Sequence, residues 1–513
     1  MDTISLRNRV ASVWLILKIN RQIWNEGTSS AAQPVLQAND IPSTMAVLFL
    51  FALVVAPIAI LLHLLLPSNN KIPKYRDHGL PFISLAVKYA QNPALIIRRA
   101  TEECGNVFSL QIFTVCNVFL RGNELNKAYL DVREDTWSFG GGMGIFLDKI
   151  LDDGYWEQSR ALIGSLSRWL NRVQTLEHIS EVAREEAKIS FDQWAHEGDV
   201  ELFEHVSGMV HKVIVRCLMG EDFYEKSCDE LLNLLHAMEA DIGSPLNMIL
   251  PDWMPHPPAR RLKKARARVD EIFHHRLQER SLVPEKWAEP ADYIAHTLND
   301  TTTAKKQELL PSHHTLLMFA AHTSTVASIS WVIISMLKHP ETLLAVQAQL
   351  RDMPKSSSDI LLQASIRETS RLYAGMNTLR LARRDYQIPG TSIKVPAGSV
   401  VSISPYLTHH DPQNFVDPES SIPDRWISED GTLVHIDNKT EARFIPFGAG
   451  SHHCVGEKMA TTITNRAVET LLRDYHVDFT DGPPNEDITN LNFARIGSPW
   501  LKGDVRVKIS KQE

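Results

Sequence analysis

Cys454 stands in Phe447-Gly448-Ala449-Gly450-Ser451-His452-His453-Cys454-Val455-Gly456, a thiol flanked by glycines, a phenylalanine and a histidine at loop spacing. The thiolate is the form of cysteine that ligates a metal, and a helix N-terminus behind it favours that charge. The helical period of Met459, Ile463, Ala467 and Leu471 predicts such a helix over Val455–Arg473. Cys454 therefore reads as an iron ligand whose pKa both the dipole and the metal lower. Gly448 and Gly450 would turn backbone N–H groups toward the sulfur, Gly456 would let the helix lie under a flat macrocycle, and Phe447 would shield the sulfur from water. A lone cysteine is otherwise an inert small hydrophobe; partners at fixed offsets weigh against that reading here.

The pattern F-G-x-G-x-H-x-C-x-G is similar to the haem-binding loop of the cytochrome P-450 superfamily, the haem-thiolate monooxygenases. Glu368 and Arg371, three apart on one predicted helix, resemble the family's E-x-x-R motif, and Arg425 in Pro423-Asp424-Arg425-Trp426 matches the third member of its buried triad. The resemblance implies a locking role for these three. It also implies that His452, Arg380, Arg160 and Trp156 face the haem propionates, for which charge-assisted hydrogen bonds are the chemical warrant. Trp156 and Arg160 are four apart, hence on one helix face; an ordinary amphipathic helix is the alternative. The implied cofactor is heme b, its iron held by the Cys454 thiolate, and the implied fold is mainly α with small β-sheets.

Thr323 and His322 fall in the middle of a helical pattern running from Leu316 to Leu337. In this family splitting O2 requires protons at the right moment, which a hydroxyl and a titratable imidazole can relay. The plainer alternatives are that Thr323 bonds back to the carbonyl four residues earlier and that His322 is a satisfied core histidine. Ala320-Ala321-His322-Thr323-Ser324 and the stretch Asn247–Arg268 look most like the sterol 14α-demethylase branch. That branch's tyrosine-bearing pattern is absent, replaced by Phe139-Gly140-Gly141-Gly142-Met143-Gly144 and Phe146-Leu147-Asp148, and Ala320 replaces the usual helix glycine. These departures favour a diverged hydroxylase acting on a terpenoid, polyketide or other secondary metabolite. A sterol 14α-demethylase, an O2-independent haem-thiolate isomerase or dehydratase, and a non-catalytic haem carrier are the competing readings.

The elements that must hold these residues follow from the pattern. Val107–Phe113 and Val115–Leu120 predict a hairpin, and residues 170–310 read as helix after helix. Asp359–Tyr373 is a further helix. The glycine run reads as a mobile loop, either bordering a substrate entrance or a plain surface loop. The basic run Arg260–Arg268 reads as a solvated helix face in preference to a lipid-headgroup contact. Apolar Leu246, Met248, Ile249, Leu250, Trp253 and Met254 fall where the family roofs its pocket.

At 513 residues, with 44% apolar content, a net charge of −8 and pI near 6.2, the chain fits one large helical domain and not a nucleic-acid-binding protein. Five scattered cysteines give neither a disulfide framework nor zinc spacing. Residues 1–43 form a polar leader. Residues 44–66, with Met45–Leu66 almost wholly apolar, would span about 33 Å as a helix, enough for a bilayer core. Lys71, Lys74 and Arg76 after the span would leave residues 67–513, the monooxygenase domain, in the cytosol, at the endoplasmic reticulum, although Arg7, Arg9, Lys18 and Arg21 precede it. The expected partners are an NADPH-dependent flavoprotein reductase, an apolar small-molecule substrate and membrane lipid, because no flavin or nicotinamide motif is present.

Overall fold

The computed structural model describes residues 72–77, 83–112, 115–244, 246–247, 254–287, 292–352, 359–375, 377–436, 442–493 and 497–512. The expected leader and membrane span lie outside these residues, as do Met248, Ile249, Leu250 and Trp253 of the expected roof.

β1 (Val107–Ile112) and β2 (Val115–Leu120) form the expected hairpin, pairing Val107 with Leu120 and Ile112 with Val115. Their cross-strand partners Phe108 and Phe119 stack at 5.4 Å and are fully buried, the kind of pair that fixes a register. With β3 (Trp137–Ser138), β4 (Thr378–Ala382) and β5 (Val400–Ile403) they make a sheet of order β1-β2-β5-β4-β3. Only β2 and β5 run parallel.

The rest of the site's scaffold is helical, as expected. Its helices are α1 (Asn123–Asp131), α2 (Phe139–Leu147), α3 (Tyr155–Gln158), α4 (Arg160–Leu170), α5 (Val173–Glu197), α6 (Leu202–Leu218), α7 (Glu221–Ile242), α8 (Pro257–Leu282), α9 (Leu310–Lys338), α10 (Ile360–Tyr373) and α11 (Glu457–Asp474). α9 is the central one. Pro311 in its first turn starts the helix without wasting a donor, and α6, α7, α8, α10 and α11 all pack on it. The stretch Lys305–Lys338 is long and apolar enough to cross a membrane, yet most of it is buried within the protein, as in a core helix. α10 begins where Asp359 accepts the Leu362 N–H at 2.6 Å, an N-cap.

The glycine run is not a loop. Phe139–Leu147 is helix α2, capped by Ser138, whose hydroxyl accepts the Gly141 N–H at 3.0 Å. The glycines serve close packing: a Cβ on Gly142 would lie 2.8 Å from Arg380 Cα and against the Leu379 carbonyl of β4, and one on Gly140 would lie 3.2 Å from Trp156 Cβ. The basic run is split in the same way. Arg266 is buried and donates to the Ile150 carbonyl and the Ser312 hydroxyl, while exposed Arg261 and Arg268 pair with buried Asp241 and exposed Glu230.

Candidate active site

Glu368 and Arg371, one turn apart on α10, are fully buried and meet through two parallel bonds, Nε to Oε2 at 3.0 Å and Nη2 to Oε1 at 2.9 Å. Arg371 also donates to the carbonyls of His409, Pro418 and Ser420. Glu368 accepts Arg425 Nε at 3.1 Å, Trp426 Nε1 at 2.8 Å and the Ile422 N–H at 3.0 Å. The three residues read from the sequence thus come together, and irregular chain from 409 to 426 hangs on them. A neutral His409 continues the network: its Nδ1–H donates to the Arg371 carbonyl at 3.0 Å and its Nε2 accepts the Ile445 N–H at 2.9 Å. Ile445 in turn holds the Gly448 N–H, so the triad is tied to the cysteine loop.

In that loop the Cys454 N–H closes onto the Phe447 carbonyl at 2.8 Å. Gly448 and Gly450 have φ of 66° and 68°, left-handed positions that suit glycine. The amides at the sulfur are those of Gly456 and Glu457, at the start of α11, and not those of the two earlier glycines. α11 begins at Glu457, two residues later than its period suggested, after a short turn at Gly450–His452. Burial outweighs these amides and pushes the thiol's pKa up, opposite to the lowering expected from a helix N-terminus. Cys454 is nevertheless an exposed residue. Ala320, in the otherwise buried middle of α9, is exposed too.

The four expected propionate contacts separate into two kinds. His452 Nε2 lies 3.0 Å from Glu134 Oε2, and its ring stacks on Phe139 at 4.7 Å. Against the cost of burial, bonds from His452, the Phe139 N–H and Ser138 bring the Glu134 carboxyl down to about 2. Phe139 also meets Trp156 edge-on at 6.5 Å, and Trp156 Nε1 donates to Asp148 at 2.7 Å. Arg380 is buried on β4, where Nη1 donates to the carbonyls of Tyr129 and Val132 at 2.8 and 3.0 Å, while its Nε has no partner among the described residues. Arg160 is exposed, and the helix expected to carry it with Trp156 is divided at Ser159 into α3 and α4.

Thr323 does not bond back to its own helix: its hydroxyl donates to Glu239 Oε1 of α7 at 2.6 Å, with both residues buried. His322 Nδ1 lies 4.0 Å from the same oxygen, and its Nε2 is 3.1 Å from Ser207 Oγ and 3.2 Å from the Ser207 carbonyl. His236 Nε2 is 3.2 Å from that same hydroxyl. His322 is therefore held in the core, but by a carboxylate-bearing polar cluster. Glu239, Ser207, His236 and Glu134 had no signal in the sequence: each is a polar residue on a helix or turn with nothing nearby to mark its partner.

The cytochrome P450 family model matches residues 73–501. Cytochrome P450 monooxygenase pyvB of Aspergillus violaceofuscus is 45% identical over 443 residues, covering 86% of this chain and 91% of its own. Cytochrome P450 monooxygenase pynD of Aspergillus niger is 46% identical over 453 residues, 87% of this chain and 94% of its own. Human lanosterol 14-alpha demethylase is 26% identical over 445 residues, 81% of this chain and 83% of its own. A solved retinoic acid-bound cyanobacterial CYP120A1 superposes with a TM-score of 0.72 over 87% of this chain and 100% of its own, at 20% identity, a likeness of fold.

Proposed function

Because the chain belongs to the cytochrome P450 family and is a haem-thiolate monooxygenase, we propose that it oxidises an apolar small molecule of secondary metabolism, a terpenoid or polyketide in class, from a membrane-anchored position. The substrate class is supported by its kinship. The chain stands at 45–46% identity to Aspergillus monooxygenases and at 26% to lanosterol demethylases, and it lacks the latter branch's tyrosine-bearing pattern.

The residues present fit a haem. Cys454 is exposed and takes two backbone N–H groups at its sulfur, Arg380 keeps a buried N–H without a partner among the described residues, and Ala320 is exposed in the otherwise buried middle of α9. Cys454 would hold the haem iron through its sulfur, with Phe447, Gly448, Gly450 and Gly456 shaping the loop around it. Arg380, His452, Trp156 and exposed Arg160 would supply hydrogen bonds to the haem's carboxylates, His452 and Trp156 being oriented by Glu134 and Asp148. When bound, the haem supplies the reductive splitting of O2 and insertion of one of its atoms into substrate.

The observation that carries the monooxygenase reading is the Thr323–Glu239 bond. A carboxyl at 2.6 Å can restore a proton to a hydroxyl that has given one up, and His322, 4.0 Å from that carboxyl, can resupply it. Like other members of the family, the enzyme draws electrons from a redox partner; we assign that part to an NADPH-dependent flavoprotein reductase. Residues 44–66 are the anchor, in the endoplasmic reticulum membrane with the catalytic domain cytosolic. The test is a screen of apolar compounds by Soret shift, followed by turnover with reductase. Product formation that consumes NADPH and O2 in step supports the reading; product without either moves the enzyme to the isomerase class.

A further inference from the structure

We propose that His236, Glu239 and His322 form a binding site for a divalent transition-metal ion of zinc's class, and that its occupancy shuts proton supply to Thr323. The second clause rests on the relay reading above; the first does not. His236 and Glu239 are three apart on α7, so their side chains share a face, and α9 brings His322 opposite them. One ligand atom from each of the three lies within 4.8 Å of the others. Two imidazoles and a carboxylate are a donor set that zinc accepts with a fourth position left for water.

The surroundings are those of ligands and not only of a buried polar cluster. A carbonyl oxygen can only accept, so the 3.2 Å contact with the Ser207 carbonyl puts the proton of a neutral His322 on Nε2. Nδ1 then offers its lone pair on the side where Glu239 Oε1 lies at 4.0 Å. Donation of the far N–H to a carbonyl is how ligating histidines are held. Ser207 Oγ also orients the His236 ring, at 3.2 Å, and Thr323 orients the carboxylate, at 2.6 Å. His236 is half-buried while Glu239 and His322 are buried, which gives an ion one side from which to enter.

Occupancy has a mechanical consequence. Zinc holds nitrogen and oxygen ligands at about 2.0–2.2 Å, so binding draws the three donors together. Glu239 Oε1 moves toward the ion and away from Thr323, and His322 spends the nitrogen with which it would pass a proton.

The test is calorimetric titration of the ferric holoenzyme with zinc chloride, without substrate, reductase or NADPH. Wild type is expected to bind one equivalent more than His236→Ala, and His236→Cys to regain it, because a thiolate is also a zinc ligand. Equal stoichiometry and affinity in all three, with unchanged haem spectra as the check on folding, overturns the site. In reconstituted turnover, zinc is expected to raise hydrogen peroxide formed per NADPH at least ~10-fold more in wild type than in His236→Ala. Tight binding at His236 without that change overturns the second clause and leaves the site standing.

Discussion

Thr323 of α9 donates its hydroxyl to Glu239 of α7 at 2.6 Å, a bond between two helices whose partners stand 84 residues apart in sequence. The carboxylate therefore arrives from a neighbouring helix, while the residue beside the threonine on its own helix is a histidine turned toward Ser207.

Removing the carboxyl's acidity while keeping its shape separates these roles. Glu239→Gln is expected to keep the haem spectrum and the substrate-induced shift, yet to lower product per NADPH ~10-fold or more, the scale of a lost acid–base group, with hydrogen peroxide rising in proportion. Thr323→Ala should do the same. Coupling equal to wild type in both variants takes the pair out of the mechanism.

The triad makes a prediction about folding. Glu368→Ala leaves buried Arg371 and half-buried Arg425 beside each other without their carboxylate, and breaking a buried pair such as Glu368–Arg371 costs about 3–5 kcal/mol. Loss of haem-loaded protein on purification, with the chain still synthesised, is the expected result. A variant that loads haem and melts like wild type would mean that the carbonyls of His409, Pro418 and Ser420 suffice to hold the segment.

α2 owes its seat on β4 to an absent side chain. Gly142→Ala forces a Cβ to 2.8 Å from Arg380 Cα, an overpacking that typically costs about 1–3 kcal/mol. A lowered melting temperature and a perturbed haem spectrum are expected, because Arg380 must shift. Gly105→Ala is the control, since nothing lies within 4 Å there and any loss comes from its φ of 83° alone.

How much of this was legible in the sequence depended on whether partners were near one another in the chain or marked by a motif. The cysteine loop, E-x-x-R and the β1–β2 hairpin are local patterns, and each stands where its spacing put it. Glu239 is different: a lone carboxylate on an amphipathic helix looks like a solvated one, and only the packing of α7 on α9 buries it. Phe139–Leu147 misled for the opposite reason. Glycine lowers helix propensity, which argues for a loop, but tertiary contact with β4 overrides the propensity because only glycine fits at Gly142. Arg380 sits on β4, and two of its bonds go to the carbonyls at the end of α1, which no motif announces.

Buried histidines set the acid limit of the fold. His313, fully buried between Tyr155 and Tyr293 at 2.7 and 3.1 Å, has its pKa pushed down to about 3 by burial, and burial lowers His211 to about 4. Folded, they stay neutral; unfolded, they take protons below about 6.5. Their contribution to stability is thus whole above pH 6.5 and falls, by up to roughly 1.4 kcal/mol per pH unit per histidine, toward the folded values. His313→Gln is expected to flatten the decline between pH 6.5 and 5 by one proton's slope, measured by denaturant unfolding at each pH. An unchanged slope would place the acid sensitivity elsewhere.

The measurement that tests the central claim most directly is the absorption spectrum of the reduced carbon monoxide complex, taken on wild type and on Cys454→His. Wild type is expected to show the long-wavelength Soret band of a thiolate-ligated haem, and Cys454→His the shorter-wavelength band of an imidazole-ligated one, with monooxygenation lost. A Cys454→His protein that keeps the wild-type band would contradict the assignment of Cys454 as the haem ligand, and with it the account of the site built around that sulfur.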